Sequence, residues 1–333
     1  MEQHNKTKKG FKLNIHLVLI AIIVVVLGVS AVKLLKWNKG KEVELDPTED
    51  TSEFDVEILD EILPMSTSDP NHVYDDETTV LLLGNGDLCM SRYEENGLAA
   101  LIAQESGTTV FNGSFPNTTL ATQNIAMIEQ NYPDDIYSLS YITDAICTGD
   151  FSEIDRITNT YHGDGNYTIA GVDTLKSVDY DNLDVIVICY DAMDYFNRRA
   201  IENPGDDEER STIVGSLNYS IRRLKEQFPY ARIIVSSLFY VEGKQTDGTP
   251  YDPDVLDIGN GTLSNYFYNA LNATTGMSVS YLDNFYGTIN QNNSTECAYY
   301  DLESGRIVLT ETGREKLAKR IAYAINLYPN DKK

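Results

Sequence analysis

Five short apolar runs, at residues 80–83, 109–111, 185–189, 233–236 and 279–281, are unbroken rather than alternating. Successive strand side chains point to opposite faces, so an unbroken run is buried on both sides, the condition of a parallel sheet covered by helices. Stretches with helical patterning lie near 94–106, 120–130, 175–178, 211–228, 263–275 and 310–327. The alternation predicts an α/β fold, a three-layer αβα sandwich around a five-stranded parallel sheet. Asn203-Pro204 precedes the long helix and Phe228-Pro229 stops it, while Leu317, Ile321, Ala324 and Ile325 give the last helix one apolar face. No internal repeat is visible. The stretch 132–173, rich in Asp, Asn, Gly and Thr, reads as an insertion over one end of the sheet. In such folds ligands bind beyond the carboxyl ends of the strands, which directs attention to 84–87, 112–117 and 191–194.

No charge interrupts residues 17–32, and extension back to Leu13 gives a run of 20 residues. At about 1.5 Å per residue a helix of that length crosses a bilayer core. It is longer than the apolar region of a typical cleaved signal, although Val29-Ser30-Ala31 supplies small residues of the cleavable kind. The reading is one transmembrane anchor at 13–36, a short basic cytoplasmic tail at 1–12, an acidic linker at 37–77 and a globular domain at 78–329. Trp37 fits an interfacial position. Four lysines flank the span on each side, so the positive-inside count is a tie. The large domain is placed outside the cytoplasmic membrane because residues 1–41 hold eight lysines and one acid, leaving 18 basic against 50 acidic residues beyond.

The whole chain has 26 basic and 51 acidic residues, a formal charge of -25, which argues against nucleic acid as a partner. Cys89, Cys147, Cys189 and Cys297 are widely spaced with no Cys-x-x-Cys pair, so neither a metal site nor a cofactor is implied. They read as free, mostly buried thiols. His72 falls in the linker and His162 in the insertion, and both read as solvated.

Residues 80–86, VLLLGNG, followed by a helix and then by 110–121, VFNGSFPNTTLA, resemble the first two blocks of the SGNH/GDSL hydrolases. Residues 184–198, DVIVICYDAMDYFNR, resemble the third block, an apolar strand followed by Gly-x-Asn-Asp. Residues 307–314, IVLTETGR, resemble the Asp-x-x-His stretch and the helix after it. The blocks span about 79–327. The resemblance implies a flavodoxin-like fold and, in active members, ester hydrolysis or acyl transfer by Ser, His and Asp with an oxyanion site.

This chain departs from the pattern at each signature position. Asn85 and Gly86 stand where the family has Asp-Ser, Asn117 replaces the second-block glycine, and Met193 replaces the third-block asparagine. Val308 stands at the histidine and Gly305 at the aspartate, with Asp301 nearby, and no histidine follows His162. Removing the serine or histidine of one well-studied triad costs about 10⁶ in rate. Cys89 offers a thiol three residues past the nucleophile slot, but it would need a base. Asp87, Asp191, Asp194 and Tyr195 are the cleft candidates, the three carboxylates also being of the type that binds calcium or magnesium. Tyr93, Tyr190, Phe196 and Tyr240 also fall near strand ends, where aromatic rings stack on sugars. The expectation is a membrane-anchored, extracytoplasmic SGNH-like domain without catalysis, binding a glycan, envelope component or protein. The alternative is an esterase or O-acetyltransferase-associated protein using altered residues on a cell-surface polymer.

Overall fold

The computed structural model describes Gly28 alone near the amino terminus and then residues 58–64, 77–124, 130–162 and 166–328. The expected anchor at 13–36 and its basic tail lie, but for that residue, outside the described residues. No helix among the described residues is long and apolar enough to cross a membrane. The chain divides into two units between Asp55 and Val56, and the second holds every strand.

Its central sheet contains β1 (Thr79–Gly84), β2 (Thr109–Asn112), β3 (Val185–Cys189), β4 (Arg232–Ser236) and β7 (Ser280–Leu282), all parallel, in the order β2-β1-β3-β4-β7. These are the five apolar runs. Every residue of β3 and β4 is buried, whereas Thr109 at the β2 edge is exposed. Gly84 pairs with Cys189, and a methyl group at Gly84 would stand 2.0 Å from the Cys189 carbonyl oxygen. The strands therefore approach at that point closely enough to require glycine. Two small antiparallel ladders complete the strands: β5 (Gly243–Lys244) with β6 (Pro250–Tyr251), and β8 (Ala298–Asp301) with β9 (Arg306–Leu309).

Helix Leu98–Ser106 packs on helix Glu311–Asn326, and helices Leu139–Thr148, Ile213–Gln227 and Leu263–Gly276 pack in sequence against one another. Right-handed crossovers from a sheet that starts in its middle place these two groups on opposite faces. Threonine starts three of the helices. The Thr212 hydroxyl accepts from Gly215 N–H at 3.0 Å, Thr310 from Gly313 N–H at 3.1 Å, and Thr262 forms a reciprocal box with Asn265.

Three expectations meet a different structure. Residues 120–124, the described part of the stretch with helical patterning at 120–130, form a loop. Carboxylates take its donors: Asp194 accepts from Leu120 and Ala121 N–H, and Asp135 from Gln123 and Asn124 N–H. The stretch 132–173 is not a polar cover. It holds Leu139–Thr148, whose Leu139, Ile142, Ala145 and Ile146 are buried at helical spacing against Ile213–Gln227. Residues 58–64, linker by composition, lie on the free edge of β7. Glu61 and Tyr281 exchange backbone hydrogen bonds of 2.9 and 2.8 Å, Leu59 N–H donates to Asp283, and Arg320 pairs with Asp60. This strap satisfies edge groups that would otherwise face water or another chain.

Arg232 is buried at the start of β4 and donates to the carbonyls of Ala324, Ile325 and Tyr328. Those oxygens are the negative end of the last helix, which explains how a cation is accommodated without a carboxylate. Burial still lowers its pKa to about 10. Gly84→Ala should destabilise the domain by about 3 kcal/mol in urea denaturation, because the added methyl meets backbone rather than a movable side chain.

Candidate functional site

At the carboxyl edge of the sheet, β1 is followed by Asn85 and Gly86, and β3 by Tyr190 and Asp191. Asn85 and Asp191, both buried, join the two ends reciprocally. Asp191 N–H donates to Asn85 Oδ1 at 2.9 Å, and Asn85 Nδ2 donates to Asp191 Oδ1 at 3.0 Å. The same Nδ2 donates to the Thr118 carbonyl at 2.9 Å, which draws in the loop after β2. Met193 N–H completes the cluster by donating to Asp191 Oδ1 at 3.0 Å.

Gly86 opens the short helix Gly86–Met90 with φ of +56°. A Cβ at this position would lie 2.2 Å from Asp191 Oδ2. The direction in which a residue-86 side chain would project is thus occupied by the carboxylate of a residue on the neighbouring strand. Asp191 itself falls at the leading glycine of the Gly-x-Asn-Asp pattern that the third block resembles. Asp191 Oδ2 is buried with no hydrogen-bond partner. Burial pushes the Asp191 pKa up to about 7, only partly opposed by its bonds from Met193 and Asn85.

A cavity of about 170 Å³ opens here, with Gly86, Asn117, Asp191 and Met193 in its wall. At about 30 Å³ per water it has room for five or six, or for one small ring. Asn117 adopts φ of +56°, a left-handed conformation that Asn tolerates better than most residues. The remaining side is Gly305 and Arg306, from the turn and first residue of β9. Arg306 Nε and Nη2 both donate to Asn117 Oδ1, at 3.0 and 2.7 Å, and Nη1 lies 3.5 Å from Met90 Sδ. Asn85, Gly86, Asn117 and Met193, with Gly305 at the aspartate position, therefore meet at one cavity. Val308 does not line it. On β9, Ile307 and Leu309 are buried against Asp87, Leu88 and Cys189, and Val308 alternates to the opposite face.

The cleft candidates disperse. Asp87 is bound by Arg314 at 2.8 and 3.2 Å, and Asp194 holds the 120–121 loop at 2.8 and 3.0 Å. Burial raises the pKa of both, that of Asp194 to about 6. Tyr195 is fully buried and donates to the Leu256 carbonyl at 2.7 Å. The described residues contain no group of three or more His, Cys, Asp or Glu able to hold a metal ion. Tyr190 and Tyr240 are buried, Tyr93 is exposed, and Phe196 stacks on Tyr300 at 4.5 Å, bracing β8. All four cysteines are free, and Cys89 is fully buried with its pKa raised by burial. His162 lies in a π turn, 2.9 Å from Asp134 and edge-on to Tyr137, and is absent from the cavity wall. His72 lies outside the described residues.

A parallel sheet in the order 2-1-3-4-5, with three sequence blocks brought to its carboxyl edge, decides the fold. It is SGNH/GDSL-hydrolase-like. One solved crystal structure superposes with a TM-score of 0.51 at 18% identity, covering 74% of this chain and 95% of that one. Similar structures include a possible lipase from Chitinophaga pinensis (TM-score 0.46, 11% identity, 74% and 96% covered). Another is a carbohydrate acetylesterase from Sinorhizobium meliloti (0.39, 13%, 74% and 97%). At these identities the likeness is one of fold. No family model matches the sequence, and no curated protein does.

Arg306 and the inward turn of Asp191 carry no signal in the sequence. The first depends on a hairpin whose short, alternating strands resemble loop, and the second on which neighbour fills the space beside a glycine. Asp191 binds its proton more tightly folded than unfolded, so its contribution is least unfavourable below pH 4 and most unfavourable above pH 7. Asp191→Asn removes that dependence. Relative to the wild type, its unfolding free energy should rise by about 4 kcal/mol between pH 4 and pH 8, from the interval between 3.8 and about 7. A constant difference across that range would contradict a buried, unpaired carboxylate.

Proposed function

We propose that this chain is a membrane-tethered, extracytoplasmic SGNH-like domain that binds a cell-envelope glycan in its strand-end cavity without hydrolysing it. The observation carrying the reading is the Asp191 carboxylate lodged 2.2 Å from the place of a residue-86 Cβ. A side chain at position 86 would have to displace that carboxylate, which Asn85 and Met193 hold through Oδ1. A serine mechanism also requires a base within hydrogen-bond reach of the attacking oxygen. The one described histidine, His162, is paired with Asp134 instead. Asp191 is no substitute nucleophile, because Oδ2 is enclosed against Gly86 and Oδ1 already accepts from Asn85 and Met193. The cavity keeps amide and hydroxyl groups from Asn117, Thr118, Asn197 and Ser304, which suits a hydroxyl-rich ligand. Tethering and outward orientation are supported by the uncharged run at 17–32 and by the acid-rich remainder.

The full chain in detergent should hydrolyse p-nitrophenyl acetate no faster than its Gly86→Tyr variant. It should also take up no stoichiometric label from a fluorophosphonate. Turnover well above that control, or labelling of one residue per chain, would overturn the noncatalytic reading.

A further inference from the structure

We propose that Arg306 is the receptor for a carboxylate, so that the cavity takes an acidic sugar unit of the uronic acid type. The inference deepens the glycan-binding reading and rests on it. Among the described residues, Arg306 is the single cation in the cavity wall. Its Nε and Nη2 edge is the face of a guanidinium that matches two parallel oxygens. Here both N–H groups converge on one neutral oxygen, Asn117 Oδ1, and the third contact is a thioether. Arg314, Arg320, Arg222 and Arg156 each reach a carboxylate, and Arg92, Arg199 and Arg232, which also donate to neutral oxygens, lie outside the cavity wall. In a chain with 51 acidic residues, an arginine at a cavity rim bonded to an amide holds the weaker of the available acceptors.

A carboxylate presents two oxygens and a charge to that edge, and displaces Asn117 by exchanging a neutral hydrogen-bonded contact for a charge-assisted bidentate one. Asn117 sits on the loop after β2 and Arg306 on β9, so the exchange also releases a link across the mouth. The amide and hydroxyl groups of Thr118, Asn197 and Ser304 remain for the sugar hydroxyls. The surrounding acidic surface repels a free anion within a screening length of about 8 Å. The guanidinium sets the opposite sign locally, which favours a carboxylate presented on a hydroxyl-bearing ring over a bare one.

The test is calorimetric or ligand-observed binding to the full chain in detergent, with glucuronate, glucuronamide and acetate as probes. Glucuronate should bind about tenfold more tightly than glucuronamide, and acetate more weakly than glucuronate. Arg306→Gln should erase the preference, and Arg306→Lys should lose most of it, since an ammonium keeps the charge but not the fork. Asn117→Gly, which accommodates the positive φ, should tighten glucuronate several-fold by removing the competing acceptor. Equal affinity for glucuronate and glucuronamide, or a preference that survives Arg306→Gln, would overturn the proposal. So would a short peptide with a free carboxyl terminus binding through Arg306 more tightly than glucuronate. An esterase-active chain that still selects glucuronate through Arg306 would refute the noncatalytic reading while leaving this assignment in place.

Discussion

The reciprocal hydrogen bonds between Asn85 and Asp191 are the constraint on which the strand-end region depends. They join the two chain segments just beyond Gly84 and Cys189, where the backbones are already too close for any side chain at residue 84. Asn85 has both a donor and an acceptor to give, and it uses them on Asp191 and on the Thr118 carbonyl. An aspartate at 85 would lose that donor and bring a second carboxylate against Asp191, with both charges desolvated. The amide at 85 and the acid at 191 are thus one arrangement, and the glycine at 86 follows from it by exclusion. Asn85, Gly86 and Asp191 are physically coupled, and Met193 joins them through its backbone N–H.

Much of the fold is legible in the sequence because burial on two faces leaves an unmistakable pattern. Each of the five apolar runs forms a strand of the sheet, and Phe228-Pro229 marks the end of Ile213–Gln227, whereas Asn203-Pro204 falls in the loop well before its start. Where polar residues dominate, patterning is a poor guide. Leu139–Thr148 is hidden in a stretch whose composition is polar, although its own apolar spacing carries the signal. Residues 120–124 have a helix-like pattern, yet Asp194 and Asp135 lie close enough to capture their N–H groups, and tertiary hydrogen bonds override local preference.

The site is legible in part. Block resemblance leads to Asn85, Gly86, Asn117 and Met193, and these share a cavity because the ends of neighbouring parallel strands are necessarily close. Val308 is assigned by linear spacing, which says nothing about how far along a strand the cavity reaches. On β9, Arg306 and Val308 share the face opposite Ile307 and Leu309, and of the two Arg306, beside the turn, lines the cavity. Proximity of like residue types is also an unreliable guide to a common role. Asp87, Asp191 and Asp194 all follow the ends of two adjacent strands, yet the first serves an ion pair, the second a strand junction and the third a loop.

The strap at 58–64 fixes where mechanical load enters the domain. A pull applied to the chain ahead of Ile58 reaches the sheet through the Glu61–Tyr281 backbone pair and the Asp60–Arg320 contact, at its outermost strand. Force arriving there acts on β7, the strand farthest from β2, while the Asn85–Asp191 junction lies two strands inward. Peeling at that rim strand would precede any disturbance of the cavity.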